Sequence, residues 1–214
     1  MSDPAETTAE TTAETTAKTG ASLGLDPRAL RDVFGAFPSG VVAVAGRVGG
    51  QLIGLAASSF TSVSLDPPLV SFSVARTSNT WPALRKAGQL GISVLADHHD
   101  VLCRQLAGPA DQRFDDLALR TSASGAVLLE EAVATLTCSL HAEIEAGDHT
   151  IVLLAVHEVR AEPERAPLVF HRSGFKRLHR DDLDPSSLDG RINGEPVRPD
   201  EDGDLPPGLE AVAV

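Results

Sequence analysis

The sequence predicts a mostly β protein built around an antiparallel sheet, and two observations carry that prediction. Apolar and polar residues alternate along most of the strand-like segments, and this two-residue period is typical of a half-buried strand. Short turns join consecutive runs, and such turns connect antiparallel strands. The chain has no series of βαβ units and no GxGxxG after the first strand, which disfavours a Rossmann domain. Closure of the sheet into a barrel would remove exposed edges.

The predicted elements follow one another closely along the chain. A helix begins at Asp26-Pro27, because Asp is a good N-cap and Pro a good first helical residue. Its apolar positions recur at helical spacing at Leu30, Val33, Phe34 and Phe37. The runs at 41–48 and 51–58 surround Gly49-Gly50 and predict a hairpin. The other expected elements are strands at 69–74, 90–95, 134–146, 149–161 and 167–170 and short helices at 79–86 and 98–107.

The net charge of -12, from 18 Lys+Arg and 30 Asp+Glu, lies mostly at the two ends of the chain. Residues 1–25 carry -3 and residues 179–214 carry -7, which leaves -2 for residues 26–178. All seven Phe and the single Trp lie in that middle stretch. We therefore expect one globular domain at 26–180, flanked by a disordered low-complexity tail at 1–25 and a disordered acidic tail at 181–214.

The acidic balance disfavours two classes of partner. Nucleic-acid binding requires a basic face that displaces counterions, and binding to an anionic membrane surface requires a basic patch. Cys103 and Cys138 form no CxxC pair, which favours a reduced, cytoplasmic protein. No apolar run approaches the ~20 residues of a membrane span, and no signal-peptide pattern is visible at the N-terminus.

Three short stretches carry polar groups in patterns that suit a ligand. Small residues at 54–57 precede a hydroxyl-rich run at 58–64, where a flat ligand could approach the backbone. Arg76, Ser78 and Thr80 precede a short helix, and hydroxyls with an Arg at a helix N-terminus suit a phosphate. Asp148 and His149 occupy a hairpin turn. On composition alone, a polar strand edge, an ordinary capping sequence and a plain turn explain these stretches better.

The motifs of several other chemistries are absent. The sequence contains no HExxH and no cysteine pairing, so we expect no metal site. It contains no GxSxG, so hydrolysis by a Ser-His-Asp triad has no specific support.

Taken together and in order, these stretches resemble the flavin reductase family, the FMN-binding split-barrel reductases. The resemblance extends over about residues 26–178. The matching segments are FPSGVVAV (37–44), GLAASSFTSVSLDPPLVSFSV (54–74), SNT (78–80), GISVLADHH (91–99), RF (113–114), AGDHTIVLLAV (146–156) and PLVFHRSGF (167–175).

The resemblance implies a six-stranded antiparallel split β-barrel of Greek-key type with a few short helices, usually as a homodimer. It implies that the protein uses NADH or NADPH to reduce FMN or FAD. Many members supply the reduced flavin to a separate monooxygenase. The resemblance thus favours a functional role for the hydroxyl-rich run.

The resemblance also assigns site residues position by position. The residues expected to border the flavin ring are Pro38, Ser39, Gly40, Ala56, Ala57, Ser58, Ser59, Thr61, Ser71 and Ser73. The expected phosphate ligands are Arg76, Ser78 and Thr80. His149 matches the histidine of the GDH motif and is expected to act catalytically near the nicotinamide. Arg172 and Phe175 are expected to border the flavin or the pyridine nucleotide.

Three positions depart from the common pattern of the family. Ala57 and Ser93 stand where many members have Asn, and Phe175 stands where many have Tyr. Judged by the resemblance, the Ala57 change puts one hydrogen bond to the ring in doubt, while the backbone donors around it remain.

Two alternatives stay open beside flavin reduction. The chain could hold FMN tightly and act on an organic substrate, or it could bind flavin without turnover. The residues do not separate FMN from FAD. They contain no basic pair clearly placed for a 2′-phosphate, which favours NADH over NADPH.

Overall fold

The computed structural model describes residues 24–178, together with the backbone of 191–192 and 195–196. The helices are α1 (Pro27–Phe34), α2 (Trp81–Leu84) and α3 (Asp100–Leu106). The strands are β1 (Ser39–Gly40), β2 (Val42–Val48), β3 (Gln51–Ala57), β4 (Thr61–Leu65), β5 (Pro68–Ala75), β6 (Leu90–Val94), β7 (Leu119–Thr121), β8 (Val127–Leu129), β9 (Ala134–Ala146), β10 (His149–Ala161), β11 (Leu168–His171), β12 (Gly174–Arg177), β13 (Arg191–Ile192) and β14 (Glu195–Pro196).

The two predicted tails lie almost entirely outside the described residues. Residues 24 and 25 belong to the first tail, and the β13–β14 pair belongs to the second. None of the helices in the described part of the chain is long and apolar enough to cross a bilayer.

The principal sheet has seven strands in the order β3-β2-β6-β9-β10-β5-β4, and every pairing in it is antiparallel. The prediction of a mostly β, antiparallel fold is confirmed. The sheet has one strand more than the six expected, because residues 61–65 fold back on β5 and pair Leu65 with Pro68. A smaller sheet has the order β1-β11-β12, and β7 pairs with β8.

The two hairpins predicted from turn residues are both present. Gly49 and Gly50, with φ of 57° and 84°, join β2 to β3 in a backbone conformation that glycine adopts without strain. Gly147, with φ of 65°, joins the 13-residue strands β9 and β10. This second hairpin holds His149 opposite Ala146 on one side and opposite Ala75 of β5 on the other.

The shortest elements were not predicted from the sequence. Strands β1, β7, β8 and β12 have two to four residues, which is too few to display an alternating pattern. The helix expected over 79–86 is a single turn, and the helix expected from residue 98 begins at Asp100.

Within residues 24–178, two clusters of buried residues form the core. The first packs Val44, Ile92, Val152 and Leu154 from the principal sheet around Phe72, whose ring meets Trp81 edge-on at 5.4 Å between centroids. The second joins α3 to the smaller sheet, and its buried members are Val41, Ala43, Leu95, Cys103, Leu106, Leu129, Ala132 and Leu168. Each cluster contains one free cysteine. Burial raises the pKa of Cys138 to about 12 and also raises the pKa of Cys103, so both remain thiols at neutral pH.

A close approach at Gly54 fixes the position of the segment that follows α3. A Cβ at this position would lie 2.6 Å from Cζ of Phe114 and 2.8 Å from the carbonyl oxygen of Val44. Only glycine lets the Phe114 ring pack this closely on β3. Residues 108–115 are thereby held against the hairpin of β2 and β3.

Candidate functional site

A small cavity of about 230 Å³ brings together two of the expected flavin-bordering residues, Ser58 and Phe175. Its wall is almost entirely apolar and also contains Val41 and Phe170. The rings of Phe170 and Phe175 lie 5.6 Å apart, and the guanidinium of Arg104 lies 5.2 Å from the Phe175 centroid. This aromatic cavity suits a flat ring, with the Ser58 hydroxyl as a polar group at its edge.

The smaller sheet carries the expected residues at 38–40 to the same region. Ser39 pairs with Phe170, and Gly40 pairs with Val169. The turn after β11 is tight, since Arg172 and Ser173 have φ of 48° and 60°. The exposed Arg172 is anchored by its backbone N–H, which donates to the carbonyl of Gly35 at 2.9 Å.

The hydroxyls of the neighbouring expected residues serve the backbone. Ser59 Oγ donates to the carbonyl of Ser73 at 3.1 Å and accepts from the backbone N–H of Ser73 at 2.9 Å. Thr61 Oγ1 donates to the carbonyl of Ser62 at 3.2 Å, and Ser71 is buried. The Ser59 hydroxyl holds the segment between β3 and β4 against β5, so a ligand at Ser59 would meet its backbone.

Ser78 and Thr80 present their hydroxyl protons for a further acceptor. Ser78 Oγ accepts from the backbone N–H groups of Thr80 and Trp81, both at 3.3 Å. Thr80 Oγ1 accepts from Nη1 of Arg113 at 2.8 Å. Among residues 24–178 neither hydroxyl donates a hydrogen bond, so both protons remain free for an anion. We call Ser78, Thr80 and the exposed Arg76 the cradle.

The cradle depends on side chains more than on a helix dipole. Helix α2 has only four residues, and its N-cap, Thr80, makes no side-chain capping bond. Arg113 brings a positive charge to the cradle through its hydrogen bond to Thr80, and the exposed Arg76 lies two residues before Ser78.

Arg113 is a site residue that sequence reasoning did not assign. Its Nη1 donates to the carbonyl of Gly54 and to Thr80 Oγ1, both at 2.8 Å, and its Nε donates to the carbonyl of Gly108 at 3.0 Å. Arg113 thereby ties β3, the cradle and the 108–115 segment together. The available signal was the RF pair at 113–114, which matches the family but carries no role that spacing reveals.

A second and larger cavity, of about 920 Å³, opens beside the cradle. It lies between the β2–β3 hairpin, the start of α2 and the 108–115 segment. Both Thr80 and Arg113 line it, so the cradle and this large cavity share a wall.

His149 lies beside the cradle but lines neither cavity. Its Nδ1 is 2.7 Å from Oδ1 of Asp148, and the carbonyl of Asp148 accepts the backbone N–H of Arg76 at 3.0 Å. The hydrogen bond with His149 holds the pKa of the Asp148 carboxyl below its usual value. The carboxylate accepts the Nδ1 proton, and Nε2 makes no hydrogen bond among residues 24–178.

One group of side chains in residues 24–178 is close enough to share a metal ion. Ligand atoms of His98, His99 and Glu131 lie within 4.8 Å of one another. The backbone N–H of Ala96 donates to His99 Nδ1 at 3.1 Å, so the neutral ring carries its proton on Nε2. Burial lowers the pKa of His99 to about 4, which keeps the ring neutral at pH 7. This tautomer offers no free lone pair, so the group fits a structural role better than metal binding.

Comparison with known proteins gives consistent matches over the described domain. The family described as flavin reductase like domain matches residues 34–179. A flavin reductase of Pseudomonas putida is 41% identical over 152 residues, which cover 71% of this chain and 89% of that protein. The reductase component of 4-hydroxyphenylacetate 3-monooxygenase from Thermus thermophilus is 35% identical over 150 residues, covering 70% of this chain and 95% of that protein.

A solved structure gives the same result in three dimensions. The NADH:FAD oxidoreductase SgcE6 of Streptomyces globisporus C-1027, in complex with NAD and FAD fragments, matches with a TM-score of 0.68 at 37% identity. The match covers 75% of this chain and 99% of that chain. The matched residues include all those that line the aromatic cavity, the three cradle residues and the Gly147-Asp148-His149 turn. The chain therefore belongs to the flavin reductase like domain family.

Proposed function

We propose that this protein is an NAD(P)H-dependent flavin reductase that transfers hydride to FMN or FAD. The observation that carries the proposal is the arrangement along β3. Ser58, directly after β3, lines the aromatic cavity. Gly54 lies four residues before Ser58, which is roughly 13 Å along an extended strand. At Gly54, Arg113 bonds both the Gly54 carbonyl and Thr80 of the cradle. A flavin with its ring at the first place and its phosphate at the second spans this distance through its ribityl chain.

The proposed flavin contacts follow from this arrangement. The residues proposed to border the ring are Pro38, Ser39, Gly40, Ala56, Ala57, Ser58, Ser59, Thr61, Ser73, Arg172 and Phe175. The hydroxyls of Ser78 and Thr80, with Arg76, would bind the phosphate, because their protons are free and charge-assisted hydrogen bonds to phosphate are strong.

The bound nucleotides supply the hydride chemistry, and the chain binds and orients them. Backbone N–H groups near Ser58 are proposed to stabilise negative charge that develops on the ring. His149 is proposed to hold the nicotinamide nucleotide, since Asp148 fixes the His149 ring and bonds the backbone of Arg76 in the cradle. NADH is favoured over NADPH, because no basic pair clearly suits a 2′-phosphate.

The proposed cellular role is the supply of reduced flavin to a separate monooxygenase. The Thermus thermophilus relative is named as the reductase component of a monooxygenase, which supports this role.

The protein is proposed to act as a homodimer that covers the apolar face of α1. No residue of this helix is buried, and Phe34 and the following Phe37 are 68% and 79% exposed in the single chain. Such a face favours burial against a second copy. We expect sedimentation equilibrium to give a dimer, with Phe34→Asp shifting the chain toward monomer. A wild-type monomer at micromolar concentration would contradict the proposal.

The function is tested by steady-state NADH and NADPH oxidation with FMN, FAD and riboflavin added in turn. We expect flavin-dependent oxidation of NADH by the purified protein, followed as loss of absorbance of the reduced nicotinamide. Flavin binding without oxidation of either nucleotide would indicate a non-enzymatic flavin-binding module. Flavin that stays bound through gel filtration, with no turnover of added flavin, would indicate a tight FMN enzyme that acts on an organic substrate.

A further inference from the structure

The large cavity provides space in addition to the ring and phosphate sites that a flavin mononucleotide would fill. Its volume of about 920 Å³ is near the upper end for ligand pockets. It is lined by Thr80 of the cradle and shares no lining residue with the aromatic cavity. Three parts of the chain line it: β3 through Gln51, the start of α2 through Asn79, Thr80 and Ala83, and the 108–115 segment through Arg113 and Phe114.

Strand β3 sets the order of the three places. Ser58 adjoins the aromatic cavity, the Gly54 carbonyl accepts from Arg113 beside the cradle, and Gln51, three residues before Gly54, lines the large cavity. A ligand with its ring near Ser58 and a phosphate at the cradle therefore has the large cavity directly beyond that phosphate.

Resting on the flavin reductase function proposed above, we infer that the large cavity takes the adenosine half of FAD. FMN ends at the phosphate and would leave the cavity to solvent. FAD continues through a second phosphate to an adenosine, which the remaining space accommodates. The chain accordingly binds FAD more tightly than FMN.

The chemistry of the cavity wall fits an adenosine phosphate. The Phe114 ring, packed on Gly54, offers an aromatic surface on which a purine stacks. The side-chain amides of Gln51 and Asn79 supply donors and acceptors for the base or the ribose. Arg113 uses Nη1 and Nε within the protein, while its Nη2 donates no hydrogen bond among residues 24–178 and is available to a second phosphate.

The adenosine of NADH is the competing occupant, because it carries the same chemical groups. FAD is favoured by continuity: the phosphate at the cradle already belongs to the flavin, and the cavity shares the wall formed by Thr80 and Arg113. His149, the residue proposed to hold the nicotinamide nucleotide, does not line this cavity.

The test uses two substitutions that narrow the cavity and measures flavin binding by isothermal titration calorimetry. Ala83 is half-buried on α2 and Gln51 is exposed on β3, so Ala83→Phe and Gln51→Trp narrow the cavity from two different elements. In the wild type we expect the Kd of FAD to be at least about tenfold below that of FMN, as one stacked base implies. Both variants are expected to lose this preference while their Kd for FMN and riboflavin stays within about twofold.

Lys86→Phe is the matched control, since Lys86 is exposed just after α2 and does not line the cavity. It should keep the wild-type preference for FAD over FMN.

Equal wild-type Kd values for FAD and FMN would overturn the inference while leaving flavin reduction intact. A rise in the KM for NADH in both cavity variants, with FAD binding unchanged, would assign the cavity to NADH. Weaker binding of all three flavins in both variants would place the cavity within the FMN site. Absence of NAD(P)H oxidation with every flavin would instead refute the proposed function.

Discussion

Replacing His149 by alanine is expected to lower kcat/KM for NADH by about 100-fold, a loss typical of a misplaced substrate, and to change the Kd for flavin by less than about threefold. His149 has its Nδ1 2.7 Å from the Asp148 carboxylate, which fixes the ring, and its Nε2 makes no hydrogen bond among residues 24–178. A group held in this way can orient a nicotinamide nucleotide without contacting the flavin ring.

The measurement combines steady-state kinetics with varied NADH and flavin titration of the same preparation. Asp148→Asn gives an informative partner variant, because it keeps a hydrogen-bond acceptor for Nδ1–H but removes the charge, and we expect an intermediate loss. His141→Ala is the matched control, since His141 is an exposed histidine on the neighbouring strand β9. Equal losses in NADH use and flavin binding for His149→Ala would show that its assigned role is wrong.

Long elements of this protein were predictable from the sequence, because a strand of many residues repeats its period several times. Strands β9 and β10 begin and end where the alternating runs predicted, and the glycines of both hairpins marked the turns. The two-residue strand β1 displays no period, although it carries residues 39–40 to Phe170. Its pairing depends on contacts between residues about 130 positions apart, which local patterns do not reveal.

The candidate site was predictable only in part, for a related reason. The hydroxyls of Ser78 and Thr80 stood out as a polar group before a short helix. Whether each hydroxyl proton is free for a ligand depends on the hydrogen-bond partners of its oxygen. The donor to Thr80 Oγ1 is Arg113, which is 33 residues away in the sequence. In the same way, Ser59 looked equivalent to Ser58 in the sequence. The fold commits the Ser59 hydroxyl to Ser73 and leaves Ser58 at the aromatic cavity.

Removing both cradle hydroxyls, by Ser78→Ala with Thr80→Ala, is expected to weaken FMN binding by at least about 100-fold and riboflavin binding by less than about threefold. Each hydroxyl would donate to a charged phosphate, and such hydrogen bonds contribute about 1.5–3 kcal/mol each, whereas riboflavin has no phosphate. Thr80→Ser keeps the oxygen that accepts from Arg113 and should restore most of the affinity lost in Thr80→Ala.

The control for the double substitution is Ser122→Ala with Ser124→Ala, which removes a hydroxyl pair in the turn between β7 and β8. Neither serine lines the aromatic cavity or the large cavity. Titration calorimetry with FMN and riboflavin gives the comparison directly. Because both ligands share the ring and the ribityl chain, the ratio of their Kd values cancels any general loosening of the site. If that ratio is unchanged in the cradle variant, the phosphate binds elsewhere, and the assignment of Ser78 and Thr80 is refuted together with the direction of the flavin along β3.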